Sequence, residues 1–182
     1  MVETDKGRDV TVDQALAKQS LDELYRRPGF LLRRAHQISA ALFLEETAGL
    51  GITNTQYGAM IVLRARGSLD QIGIATLVGI DRSTTALVVS KLEEAGYIER
   101  RDDEADKRRK IITLSDAGRA MLDRVAEPAQ RARDRALAAF PQEDGAKFLA
   151  MLEHFVATFN EETRAPIRAE TGSKRAKRAA KP

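Results

Sequence analysis

The sequence predicts a mainly α fold with a small β-hairpin, on three observations. Apolar residues recur at helical spacing along most of the chain. Glycines and capping residues cut that pattern into short helices. The period then changes to that of strands on either side of the charged stretch RDDEADKRR. At 182 residues the chain is long enough for one compact core with extensions.

Residues 1–10 are polar and charged and are expected to be disordered. Thr11 and Gln14 have capping-box spacing and predict a helix over 12–26. Pro28 suits the first turn of the next helix, where Leu31, Ala35, Ile38 and Leu42 form one stripe and Leu32, His36, Ala40 and Phe43 a second, so this helix is expected to be covered from two sides. Gly49 and Gly51 end it. Thr53 with Gln56 repeats the capping box, Ile52 and Tyr57 stand at staple positions, and the helix they open runs to Gly67. Ser68 with Gln71 marks a fourth helix that reaches Val78, and Asp81 caps a fifth over 82–95, closed by Gly96.

Tyr97 to Arg100 and Lys110 to Leu114 are short, β-branched or aromatic segments and predict the hairpin, with a long charged tip. Ser115 restarts helix. Leu122, Val125, Ala129, Ala132, Ala136 and Ala139 keep a heptad-like seam, kinked at Pro128. Pro141 opens a last helix whose Phe148, Leu152, Phe155 and Phe159 make an aromatic stripe, and disorder is expected from 166 to 182.

Composition narrows the chemistry. There is no Cys, which removes disulfides, thiolate nucleophiles and thiolate zinc sites, and the two histidines have neither metal-ligand spacing nor a nucleophile to serve, so neither a catalytic residue, a metal nor a cofactor is expected. No run of 18 apolar residues exists, and the first ten residues lack the apolar stretch of a secretory signal, so a cytoplasmic chain with no membrane partner is expected. The net charge of +3 is uninformative: TGSKRAKRAAKP alone holds five basic residues, leaving 25 basic against 27 acidic over 1–170.

The window from Gln71 to Val88 carries more. A small Ala75 where two helices cross, Gly79 at the turn, and Thr85 and Val88 facing inward have the spacing of a helix-turn-helix. Rotating the fifth helix so that Thr85, Val88, Leu92 and Ala95 face inward leaves Arg82, Ser83, Ala86, Leu87 and Ser90 outward, short or donor-bearing side chains that suit a major groove, with Thr84 and Lys91 placed for phosphates. On the hairpin, Lys107, Arg108, Arg109 and Lys110 form a basic tip, and Asp106 is spaced to hold Arg108 outward toward a minor groove. Together these predict a winged helix-turn-helix with N- and C-terminal dimerisation helices, the apolar seam and aromatic stripe exceeding what one small domain needs. Its parts are expected at 11–48 (dimerisation), 49–114 (winged helix-turn-helix) and 115–165 (dimerisation). A ligand crevice is expected where Arg33, Arg34 and Arg64 could receive a carboxylate beside His36, Phe43, Tyr57 and Met60. A winged-helix module that binds another protein without specific DNA is the rival reading.

The segment VGIDRSTTALVVSKLEEAGYIERRDDEADKRRKIITLSDAG resembles the core of the MarR family of bacterial transcriptional regulators, most specifically in Asp106-x-Arg108 followed by Ile112, Leu114, Ser115 and Gly118. The resemblance implies an obligate homodimer straddling a pseudopalindromic double-stranded DNA operator. It also implies repression relieved by a small effector, often an aromatic carboxylate, in some members its CoA thioester. Leu87 departs from the polar or basic residue common at its place, and the absent cysteine separates the chain from the family's peroxide sensors.

Overall fold

The computed structural model describes residues 19–104, 106–107, 109–141 and 143–168. Two compact units, Met1–Ala41 and Leu42–Pro182, divide the chain inside a helix rather than at the glycines that follow it.

In the first unit, helix α1 is described over 19–26 and is followed by the start of α2 (Pro28–Glu46). Tyr25 and Phe30 meet across the break with ring centroids 5.2 Å apart, and the Arg33 guanidinium lies 4.9 Å over the Phe30 ring. The first ten positions and the Thr11 cap fall outside the described residues. Leu31, Leu32 and Ile38 are exposed within this chain, so the two covered stripes expected of α2 are not realised along its first turns.

The second unit contains the remaining elements: α3 (Asn54–Arg66), β1 (Ser68–Leu69), α4 (Gln71–Val78), α5 (Arg82–Glu94), β2 (Ile98–Asp102), β3 (Lys110–Leu114), α6 (Asp116–Leu137), α7 (Asp144–Phe159) and a 3-10 turn, Asn160–Glu162. The Thr53–Gln56 capping box forms in both directions, at 3.2 and 2.8 Å. Ala59, Met60 and Leu63 of α3, Ile74 of α4, Val89 and Leu92 of α5, Ile112 of β3 and Leu122 and Val125 of α6 build one core.

The sheet corrects the expected hairpin twice. It has three antiparallel strands in the order β1-β3-β2, with Ser68 opposite Thr113 and Leu69 opposite Ile112. Ser68 is therefore not a helix cap. Asp70 takes that role, its Oδ1 accepting from Gly73 N at 2.7 Å. Strand β2 also runs on to Asp102, because Arg101 and Asp102 pair in register with Ile111 and Lys110, and Lys110 Nζ lies 2.6 Å from Asp102 Oδ1 across the ladder.

Helix α6 runs unbroken through Pro128, but it stops at Leu137, so Ala139 drops out of the seam. Its C-terminal half is tied to the end of α2: Glu46 accepts from Arg131 at 2.9 Å and Arg135 at 2.8 Å, while Arg135 also reaches Glu45 at 3.2 Å. Arg135 first, then Arg131, holds the Glu46 carboxyl below its ordinary pKa. Helix α7 starts at Asp144, not Pro141. Phe148 stacks on Phe140 at 4.6 Å, whereas Phe155, Val156 and Phe159 remain exposed.

Beyond α7 the chain does not end at Pro166 as a structured element. Asn160 grips the backbone of Ile167, accepting from its N at 2.9 Å and donating to its O at 3.1 Å, and Arg168 N donates to Thr76 O of α4 at 3.1 Å. The expected disorder over 166–182 thus gives way at Ile167 and Arg168 to a clasp on the helix-turn-helix. Residues 169–182 lie outside the described residues.

Candidate nucleic-acid interface

Helix α4 ends because Gly79 adopts the left-handed region, φ 72° and ψ 40°, which costs a residue without a Cβ little. Both Gly79 N and Ile80 N close back on Ala75 O, at 2.9 and 3.1 Å. The chain then restarts at Asp81, and α4 and α5 meet at 112°, within the range of a helix-turn-helix.

Asp81 organises the first turn of α5. Its carboxylate accepts from Ser83 Oγ at 2.6 Å, Thr84 N at 2.9 Å and Thr84 Oγ1 at 2.7 Å. These bonds, the Ser83 hydroxyl foremost, hold Asp81 far below the ordinary carboxylate range. Thr85, fully buried, returns its hydroxyl to Asp81 O at 2.7 Å. Thr85, Val88, Val89 and Leu92 face the core. Ala95 does not; it is exposed at the C-cap, where the helix has ended. Outward stand Arg82, Ser83, Ala86, Leu87 and Lys91, with Thr84 and Ser90 half-buried. At the far end Glu94 accepts from Lys91 at 2.7 Å and Ser90 at 3.0 Å, which lowers its pKa, Lys91 contributing most.

The wing is braced against both helices. Arg100 Nε lies 3.0 Å from Glu93 Oε2, joining β2 to the end of α5. Arg109, expected to point toward DNA, instead turns its guanidinium back to form an ion pair with Asp70, the cap of α4, with Asp103 at 4.0 Å. No sequence signal marks this pair, whose members are 39 residues apart. Arg108 falls outside the described residues. Lys107 is exposed, and neither it nor Arg82 has a hydrogen-bond or ion-pair partner among the described residues. Arg82, Arg100, Arg109 and Lys110 surround a crevice of about 600 Å³ between α4, α5 and the sheet, floored by Ala75 and Ile112. This is a concave, basic surface bounded by the two elements that the sequence assigned to the two grooves.

Asp70 gives a pH-dependent prediction. Burial pushes its carboxyl up, but the Gly73 N–H and Arg109 outweigh this and leave it below the ordinary 3.8. A depressed carboxyl contributes stability that is complete above the unfolded-state value and is lost as pH falls through the folded one. Asp70→Asn keeps a good cap but loses the charge, so its stability deficit in thermal melts should be largest at neutral pH and vanish in acid. Asp70→Ala should lose about 1 kcal/mol more, the worth of the cap.

The other expected ligand residues are dispersed in character. Met60 is wholly inside the core and Phe43 nearly so, which corrects their assignment as an open lining. Tyr57 tilts against Phe43 at 5.7 Å. Arg64 pairs with Asp123 at 3.2 Å. In the first unit Arg33 and Arg34 donate to Gln37 at 3.4 and 2.8 Å, and His36 is exposed. Among the described residues no cluster of acidic, His or Cys side chains could hold a metal, and no single helix is long and apolar enough to cross a membrane.

A sequence model of the MarR family matches residues 52–110, which span α3, the helix-turn-helix and the hairpin tip. The PcaV transcriptional regulator of Streptomyces coelicolor, solved in complex with its natural ligand, is 30% identical and superposes with a TM-score of 0.68 over 74% of this chain and 94% of its own. The chain belongs to the MarR family. This MarR-family regulator is likewise 30% identical to the transcriptional repressor CouR bound to a 23-mer DNA duplex, with a TM-score of 0.67 over 74% of this chain and 95% of that one. It is 28% identical over 95 residues to the transcriptional repressor NicR of Pseudomonas putida, a match that spans 52% of the MarR-family chain and 60% of NicR. The family assignment agrees with the mainly helical fold and three-stranded wing described above.

Proposed function

We propose that this chain is a DNA-binding repressor that acts as a homodimer on a two-half-site operator and is released by a small aromatic carboxylate, free or as its CoA thioester. The observation that carries the DNA reading is a pair of cations without an acidic partner among the described residues, Arg82 on the first turn of α5 and Lys107 on the wing tip, on a surface where Arg100 and Arg109 are already paired with acids. Arg82 reads base edges in the major groove and Lys107 meets phosphate. CouR, a relative seen on duplex DNA, supports the same use of the fold.

The exposed Met151, Phe155, Val156 and Phe159 of α7 support the dimer: a soluble single copy gains by covering such a stripe with a second. Two-fold symmetry then places the half-sites about one helical turn, ~34 Å, apart. PcaV, a relative with a natural ligand bound, supports a small effector. Half-buried Tyr57 offers it an aromatic surface, with Arg64 two turns further along α3 to meet the acid. Melting the purified protein with benzoate-class acids and their CoA thioesters tests the effector, and no shift with either class would remove it.

A gel shift against the DNA flanking the gene tests the rest. Two chains should bind each duplex. Arg82→Ala should lose about 1–3 kcal/mol of binding and relax sequence preference, whereas Lys107→Ala should weaken all duplexes alike and lower the salt slope by about one. Unchanged binding by both variants would remove the groove assignments.

A further inference from the structure

The outward face of α5 has spent most of its polar donors on its own helix. Ser83 and Thr84 give their hydroxyls to Asp81, and Ser90 and Lys91 donate to Glu94. A hydroxyl has one proton, so a serine or threonine bonded in this way has none left for a base. Among the described residues, what remains free on the face is Arg82, at the first turn, and the apolar Ala86 and Leu87. Leu87 is 61% exposed, although the same helix buries Val88, Val89 and Leu92. It stands one turn after Ser83 and just under one before Ser90, at the middle of the face.

An exposed leucine gains nothing in water, and Arg82, exposed at the start of this face with no partner among the described residues, suits a polyanion rather than an apolar protein surface. In the major groove of duplex DNA one ordinary base presents an apolar group, the C5-methyl of thymine; the other three present donors and acceptors that a leucine would leave unpaired. We infer that Leu87, backed by Ala86, reads a thymine methyl at a fixed position in each operator half-site. This rests on the DNA reading above and deepens it. Arg82 supplies the hydrogen-bonded contact at the helix start, and Leu87 supplies discrimination by contact and by exclusion further along.

The test uses the full-length protein. Selection from a pool of random duplexes defines the half-site, and each thymine in it is then replaced singly by deoxyuridine, which keeps the pairing and every hydrogen-bonding group but removes the methyl. The wild-type protein should lose about fourfold in affinity at one thymine per half-site, the worth of one buried methyl group. Leu87→Ala should be indifferent to uridine at that position while keeping the wild-type response elsewhere, and its exposure predicts an unchanged melt. Equal binding of every uridine duplex by the wild type, or the same uridine penalty in Leu87→Ala, would overturn the assignment of Leu87 while leaving DNA binding intact. Enrichment of no duplex at all would overturn the DNA reading and this inference with it.

Discussion

Gly118→Ala should lower the stability of the protein by about 3 kcal/mol and its melting temperature by about 10 °C, the largest effect expected of any single methyl group added to this chain. Gly118 stands in the first turn of α6, where Ser115 joins three pieces of backbone: its Oγ donates to Gly96 O at 2.6 Å and accepts from Gly118 N at 3.0 Å, and its N donates to Tyr97 O at 3.1 Å. That geometry presses the helix onto the Tyr97 carbonyl, and a Cβ at 118 would be driven into the carbonyl oxygen. Backbone held by strand and helix on both sides has nowhere to retreat. The backbone of Gly118 is otherwise helical, so alanine would normally add up to about 1 kcal/mol there, and the loss appears in spite of that gain. Gly58→Ala is the matched control. It is also helical, its Cβ would meet only Val78 Cγ1 at 3.8 Å, and it should melt at or slightly above the wild-type temperature. Equal melts for the two variants would show that the Ser115 joint is not packed as described.

Gly79→Ala should cost about 2 kcal/mol, from two separable sources. The left-handed backbone at φ 72° accounts for about 1 kcal/mol in any residue with a Cβ. The rest comes from Ile167, whose Cγ1 lies 2.7 Å from the place that Cβ would occupy. A side chain can turn aside where a carbonyl cannot, so this collision is cheaper than the one at Gly118. A double-mutant cycle isolates it: in an Ile167→Ala background the cost of Gly79→Ala should fall to the backbone part alone. An identical cost in both backgrounds would mean that Ile167 is not seated on the turn.

The features legible in the sequence were those whose physics is local. Thr53 with Gln56, Asp81 before Arg82, Ser115 before Asp116 and the glycine at 79 each specify a helix end through atoms within four residues, and the structure forms every one. The outward face of α5 followed from its period, apart from Ala95, which lies past the last helical turn that the period could govern. What sequence reading missed is long-range. Strand β1 is two residues with no alternation to detect, defined only by β3 more than forty positions later, and Ser68-x-x-Gln71 imitates a capping box at that place. The Asp70–Arg109 pair is a tertiary contact between a helix cap and a hairpin, so a basic run that reads as one uniform patch divides into a residue that faces inward, Arg109, and one that stays free, Lys107. The same limit applied to Met60, whose spacing placed it on a usable helix face while the arrival of other elements sealed it off.

The clasp formed by Asn160 and Ile167 has a consequence for the order in which the protein is made. The last carbonyls of any helix lack partners within it, and in α4 one of them, Thr76 O, takes its hydrogen from Arg168 N. Synthesis delivers α4, α5 and the wing long before it delivers Arg168. While α6 and α7 are still in the ribosome, the nascent reading head lacks both the Leu122 and Val125 side chains that complete its core and the residue that closes α4. Completion of its second helix therefore waits for nearly the whole described chain, and a product arrested anywhere short of Arg168 carries a turn whose final hydrogen bond is left to water.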